Sequence, residues 1–360
     1  MTHVFVAPHP DDVALSCGGL IASLRELGQN VTILTVFSGN GATDRLNPYQ
    51  REALGFGSKA MFPDTEAFNR ANLSADYPID ENGASAPPWA ASADRLDATQ
   101  ADADAAAKRF WQRSSWYRRA SIHNESLAGQ PIADDLSTQG AVLTTELTEA
   151  AAANEAMATR RLEDERYAYF AEASIVFLDL PDAVFRGYQG DEQLLGAPRP
   201  DDSAPVELLR QEIARLEPQK VYFPLGIGGH VDHRLAREAG VALLAEPRRW
   251  VMPGPDWAGI VTFYEDFPYA WWNGFSQLAD LGSDVFGGLP VGVSVVPEFA
   301  DISDQLEMKI NGLTLYHSQL GHLFGGTAPM ATAVRAFHQR VANLGGVPGS
   351  AERYWTSTRL

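Results

Sequence analysis

The sequence predicts an α/β fold: a Rossmann-like, mostly parallel sheet with helices on both faces, carrying a large, mostly helical insertion. Three observations predict it. The apolar runs Val4-Phe5-Val6-Ala7 and Val31-Thr32-Ile33-Leu34-Thr35-Val36-Phe37 flank a stretch with apolar residues at helical spacing, which reads as strand, helix and parallel strand. Strand-like runs return only after about a hundred residues in which no strand is evident. Two of the strands then lead, through polar turns, straight into helices.

In chain order, the first strand covers Thr2 to Ala7 and the first helix Leu15 to Leu27, with Gly28 as its stop. The second strand ends at the glycine-rich turn Ser38-Gly39-Asn40-Gly41. Residues 47–155 form a helical insertion or lid, because a structureless loop of that length is rare in a compact domain. Within it Tyr77 to Ala93 reads as loop and Arg95 to Trp111 as helix, and a longer helix starts between Thr138 and Thr145 and runs to Ala173. The cluster Phe110-Trp111-Gln112-Arg113-Ser114-Ser115-Trp116-Tyr117-Arg118-Arg119 reads first as an anchor of the insertion and second as a substrate wall.

Residues 1–46 and 156–360 then make the main domain. The sheet resumes at Ser174 to Asp182, and a helix follows from Ser203 to Leu216, with Pro205 near its start and Pro218 beyond its end. The strand Lys220 to Pro224 leads through Gly226-Ile227-Gly228-Gly229 into a helix from Arg234 to Ala245. Strands at Ile260 to Tyr264 and Gly292 to Pro297 and a helix from Ser303 to Tyr316 complete the list; no element is assigned beyond Gly321.

Composition narrows the partners. A formal charge of −18 argues against nucleic acid or an anionic membrane surface. Cys17 is the single cysteine, which excludes an intrachain disulfide. No apolar run reaches the ~20 residues of a membrane span. No signal peptide is evident, and a cleaved leader would remove the turn that follows the first strand. The expectation is a cytoplasmic enzyme acting on a small molecule, with room for a homo-oligomer.

The chemistry-bearing residues sit on two turns. His9 and Asp12, three apart after the first strand, can face one cation, while Asp11 between them keeps its own carboxylate. A catalytic zinc takes three protein ligands, so another must come from elsewhere. His230 and His233, also three apart and also on a turn leaving a strand, can supply it, since both rings can face the same crevice. The alternative is a hydrogen-bonded His/Asp cluster that only ties loops together; two such motifs at one sheet edge argue against it. Two His and one carboxylate suit zinc, but also iron(II) or another divalent ion.

His9-Pro10-Asp11-Asp12, followed by His230-Val231-Asp232-His233, resembles the LmbE-like, or PIG-L, zinc-dependent de-N-acetylases. Arg160-Arg161-Leu162-Glu163, Leu180-Pro181-Asp182, Tyr264 to Tyr269, and Lys309 to Gln319 are similar to further parts of that family. The resemblance implies His9, Asp12 and His233 as zinc ligands, Asp11 as general base, His230 as stabiliser of the oxyanion, and Arg160 and Asp182 near the sugar. It implies removal of an acetyl or similar acyl group from the amide nitrogen of an N-acetyl amino sugar or its conjugate. A non-catalytic metal- or carbohydrate-binding relative and an amidase of a larger thiol–sugar conjugate are the alternatives. Val13 stands where the family usually has Glu, and Pro8 where it usually has Ala.

Overall fold

Five parallel strands run from one edge of the sheet: β1 (Thr2–Ala7), β2 (Asn30–Thr35), β3 (Ser174–Phe177), β4 (Lys220–Pro224) and β5 (Val261–Tyr264), in the spatial order β3-β2-β1-β4-β5 with β3 at the edge. The computed structural model describes residues 1–39, 156–246, 256–272, 286–324 and 326–359. The expected insertion, its Phe110 to Arg119 cluster and the Arg95 to Trp111 helix lie outside the described residues.

The strand order has one functional consequence. From β1 the chain crosses to β2 on one side, whereas from β4 it crosses to β5 on the other, so the gap between β1 and β4 is the topological switch point. Right-handed crossovers put helix α1 (Asp12–Glu26) and helix α2 (described over 156–170) on one face. They put α3 (Ala204–Leu216) and α4 (Val231–Leu244) on the other. Covered on both faces, β1 buries Val4, Phe5 and Val6 completely, each contributing about 1.5–3 kcal/mol of burial energy.

Helix α1 begins at Asp12, three residues before the expected Leu15, and α4 begins at Val231 rather than Arg234. In both cases the polar turn runs directly into the first helical turn, so the candidate residues sit on the helix start rather than in a loop before it. The expected helix from Ser303 to Tyr316 is a shorter one, α5 (Leu306–Leu313), and a separate helix, α6 (His317–Phe324), follows it. Gly19 lets the chain approach α1 closely, since a Cβ there would lie 2.7 Å from Ile302. Val13, in place of the usual Glu, is 2% exposed and packs in the main core.

The C-terminal region departs most from expectation. Helix α7 (Thr327–Gly345) is followed by a nine-residue strand, β7 (Ala351–Arg359), which inserts antiparallel between β5 and β6 (Val293–Asp301). Strand β7 is buried from Ala351 to Ser357 although it carries Glu352, Arg353, Thr356 and Ser357. Its charged side chains Glu352 and Arg353 meet their counter-charges, Lys309 and Glu265, on other elements, so its sequence does not read as a core strand. Among the described residues no helix is long and apolar enough to cross a membrane.

Candidate active site

The turn after β1 is built by local hydrogen bonds. The His9 backbone N–H donates to Asp12 Oδ2 at 2.8 Å, which fixes the carboxylate at the start of α1. Asp11 caps that helix with φ 103°, a left-handed conformation that a residue with a side chain adopts at a cost of about 1–3 kcal/mol. The Asp11 backbone is held by a hydrogen bond to the Asp164 carboxylate. Asp164 also accepts from Thr35 Oγ1 at 2.6 Å and Tyr316 Oη at 2.7 Å, tying the turn to β2 and to the chain between α5 and α6.

The turn after β4 positions two imidazoles differently. His230 caps α4, its Nδ1 accepting the Asp232 backbone N–H at 3.2 Å. Burial pushes its pKa well below the ordinary value, so the ring is neutral and its proton sits on Nε2. His233, in the first turn of α4, faces the Asp266 carboxylate through Nδ1 at 2.7 Å. Its other nitrogen, Nε2, is buried with no hydrogen-bond partner among the described residues and points at Asp12 Oδ2, 3.3 Å away.

His9 closes the cluster. Its Nδ1 lies 3.3 Å from the same Asp12 Oδ2, and its Nε2 meets Asp232 Oδ2 at 2.9 Å. Ligands bound at zinc distances around a tetrahedral centre stand about 3.3–3.4 Å apart. His9 Nδ1 and His233 Nε2 therefore stand off Asp12 Oδ2 by the spacing of a tetrahedral ligand set. Each imidazole has a carboxylate on its far nitrogen, Asp232 behind His9 and Asp266 behind His233, the arrangement that orients metal-binding histidines.

The charges point the same way. Six buried aspartates crowd the site (Asp11, Asp12, Asp164, Asp182, Asp232 and Asp266), against the guanidinium groups of Arg160 and Arg186. Burial disfavours charge on His9, but hydrogen bonds with Asp12 and Asp232 and the charge of Asp182 outweigh it and raise the ring to about 10. Burial also opposes charge on Asp12, yet His233 and His9 hold it down at about 2. Asp11 behaves oppositely: burial pushes it well above the carboxylate range, with Arg160 opposing and Asp12 adding to the shift. Two adjacent carboxyls are thus split, one held as an anion and one drawn toward the proton, the pattern of acid–base assignment.

The structure brings His9, Asp11, Asp12, His230 and His233 to one edge of the sheet. Arg160, 5% exposed, reaches Pro10 O at 3.3 Å and stands 3.9 Å from Asp11 Oδ2. Asp182, expected near the sugar, is 1% exposed and stands behind His9, its Oδ2 3.6 Å from Nε2. It caps a short 3-10 turn (Ala183–Phe185), accepting the Val184 N–H. His9, His230 and His233 present ring nitrogens within 4.8 Å of one another, and His9, Asp182 and Asp232 form another group of donor atoms as closely placed. There, however, Asp232 already accepts from the Ala183 N–H and from Arg186.

Sequence reasoning did not assign roles to Asp232, Asp266, Asp164 or Arg186. The available signal was a carboxylate directly after a strand at the same edge as His9, as Asp266 follows β5.

A seven-stranded, mostly parallel sheet with this His–Asp cluster at its switch point places the chain among the N-deacetylases, and the comparisons agree. Residues 4–67 match the family described as GlcNAc-PI de-N-acetylase, PIG-L. The 2'-N-acetylparomamine deacetylase of Streptomyces fradiae is 32% identical over 210 residues, covering 55% of this chain and 69% of that protein. The zinc-inhibited form of teicoplanin deacetylase superposes with a TM-score of 0.54 at 17% identity, covering 100% of this chain and 99% of the other. A deacetylase–teicoplanin complex gives 0.51 at 17% identity with the same coverage. The chain belongs to the PIG-L, or LmbE-like, family.

Proposed function

We propose that this N-deacetylase hydrolyses the acetamide of an N-acetyl amino sugar or its conjugate, using a zinc ion held by His9, Asp12 and His233. The observation that carries the reading is the pair of imidazole nitrogens set 3.3 Å from one carboxylate oxygen of Asp12, each imidazole backed by a second carboxylate. Two neutral imidazoles and one carboxylate leave a divalent ion with net positive charge and one open position, as catalytic zinc requires. The same set suits iron(II).

When bound, the metal supplies a Lewis acid that polarises the acetamide carbonyl and acidifies water. Asp11 takes the proton of the attacking water and returns it to the leaving amine; its raised pKa suits both halves of that exchange. His230 donates its Nε2–H to the oxygen that becomes anionic, and its neutral state is fixed by the backbone bond to Nδ1. Arg160, beside Asp11, tempers that carboxyl's pKa and faces the reacting end of the substrate. Asp182 acts one layer further in, on His9.

The paromamine relative suggests an aminoglycoside as the first substrate class, and a chain of charge −18 suits a cationic amino sugar. A single, buried Cys17 suits a reducing compartment such as the cytoplasm. The test is acetate release from 2'-N-acetylparomamine and from N-acetylglucosamine conjugates by the zinc-loaded protein. Acetate from at least one, abolished by chelator and restored by zinc, is expected. No acetate from any of them would overturn the reading.

A further inference from the structure

The segment Pro181–Arg186 wraps one buried carboxylate that stands behind His9. Asp232 is fully buried, and its Oδ2 accepts from His9 Nε2 at 2.9 Å and from the Ala183 N–H at 3.1 Å. Its Oδ1 accepts from Arg186 Nη2. Arg186 is itself fastened on several sides. Its Nε lies 3.1 and 3.2 Å from the two oxygens of Asp202, its Nη1 donates to Pro181 O at 2.6 Å, and its guanidinium stacks 4.4 Å from the Phe37 ring centre. Tyr188 Oη in turn holds Asp202 at 2.8 Å.

This arrangement resolves a conflict at His9. Two carboxylates, Asp232 at 2.9 Å and Asp182 at 3.6 Å, compete for its Nε2. Like charges so close would share the proton and leave the ring orientation undetermined. Of these two carboxylates the guanidinium grips only Asp232, which fixes its other oxygen against His9 Nε2 and gives that nitrogen one defined partner. Nδ1 is then left as the lone-pair nitrogen aimed at Asp12.

We propose that Arg186 is a positioning residue for the metal centre: acting through Asp232, it selects the His9 tautomer and ring orientation that bind the metal. This rests on the metal-site reading above.

The test measures zinc affinity by competition with a chromophoric chelator and records the visible spectrum of the cobalt(II) form. Four variants are compared with wild type: Arg186→Gln, Arg186→Lys, Asp202→Asn and His9→Ala. Arg186→Gln should weaken zinc binding about 10- to 100-fold, the usual effect of losing an outer partner of a metal ligand, and should shift the cobalt spectrum. Arg186→Lys, which keeps the charge without the fork, should recover part of that loss. Asp202→Asn removes the other carboxylate on Arg186 and should lower thermal stability while changing zinc affinity less than threefold, about 0.65 kcal/mol. Wild-type affinity in folded Arg186→Gln, or an equal loss in Asp202→Asn, overturns the proposal by reducing Arg186 to a structural role. If Arg186→Gln does not fold, Arg186→Lys decides: zinc must bind more weakly to it than to Asp202→Asn, and equal affinity overturns the proposal. His9→Ala separates the two readings. Unchanged zinc binding there refutes the metal site, whereas its loss alongside wild-type affinity in Arg186→Gln refutes the present inference alone.

Discussion

Two regions of this molecule bury ionised side chains, and they do so with opposite charge accounting. Where α5 and β7 pack against α1, Lys309 Nζ meets Glu352 Oε1 at 2.7 Å, and both side chains are shut off from solvent. Glu352 also accepts the N–H groups of Gly19 and Leu20 at 2.9 Å and Tyr354 Oη at 2.7 Å. One cation faces one anion and the surrounding donors complete the anion's shell, so nothing further is called for. At the β1–β4 switch point six aspartates face two arginines, and His9 is pushed toward carrying a proton to offset the excess. The lesson is that burial of charge is not itself a mark of function. The mark is buried charge whose partner the protein does not supply.

The largest expected effect breaks the second region outright. Asp12→Asn or His233→Ala should take metal content from about one ion per chain to near none, with activity lost in step. Elemental analysis decides, and wild-type zinc in either variant would refute the ligand assignment.

Next in size, Asp11→Asn keeps the shape of the turn but cannot accept a proton. Its turnover should fall about 10²–10⁴-fold with metal content unchanged. Retention of most activity with metal bound would move the proton-transfer role elsewhere.

A third substitution tests the matched region. Lys309→Met leaves Glu352 buried without its cation and should lower unfolding free energy by about 3–5 kcal/mol while zinc affinity stays as in wild type. Denaturant titration and chelator competition read the two quantities, and a variant that lost zinc but not stability would erase the contrast between the regions.

The smallest effect concerns a single proton. With the folded value of His9 raised to about 10, the metal-free protein gains stability that is fully present below the unfolded value of about 6.5 and is lost as pH rises through 10. Zinc must displace that proton, so its apparent affinity should rise about tenfold per pH unit between pH 7 and 9. Calorimetry in two buffers of different ionisation enthalpy counts the proton, and zero release would show that His9 is already neutral.

Much of the site was legible because its signal is local. Strands β1 and β4 match the expected bounds, Thr2 to Ala7 and Lys220 to Pro224, since continuous apolar runs between turn residues have few other readings. His9, Asp11, Asp12, His230 and His233 were visible as candidates for the same reason: strand-to-helix turns of one parallel sheet open at one edge. Their chemistry is a matter of residue type and spacing, which the chain carries openly.

Tertiary structure alone decided which carboxylate serves which imidazole. His9 and Asp232 are 223 residues apart, and nothing near either one states that they meet. Arg186 belongs to the site only because the 3-10 turn folds back over α4, and β7 belongs to the core only because Lys309 and Glu265 receive its charges. Periodicity reports which face of an element avoids water. It cannot report the partner that makes a buried charge tolerable, because that partner is fixed by the packing of distant elements and by the hydrogen bonds that desolvation makes obligatory.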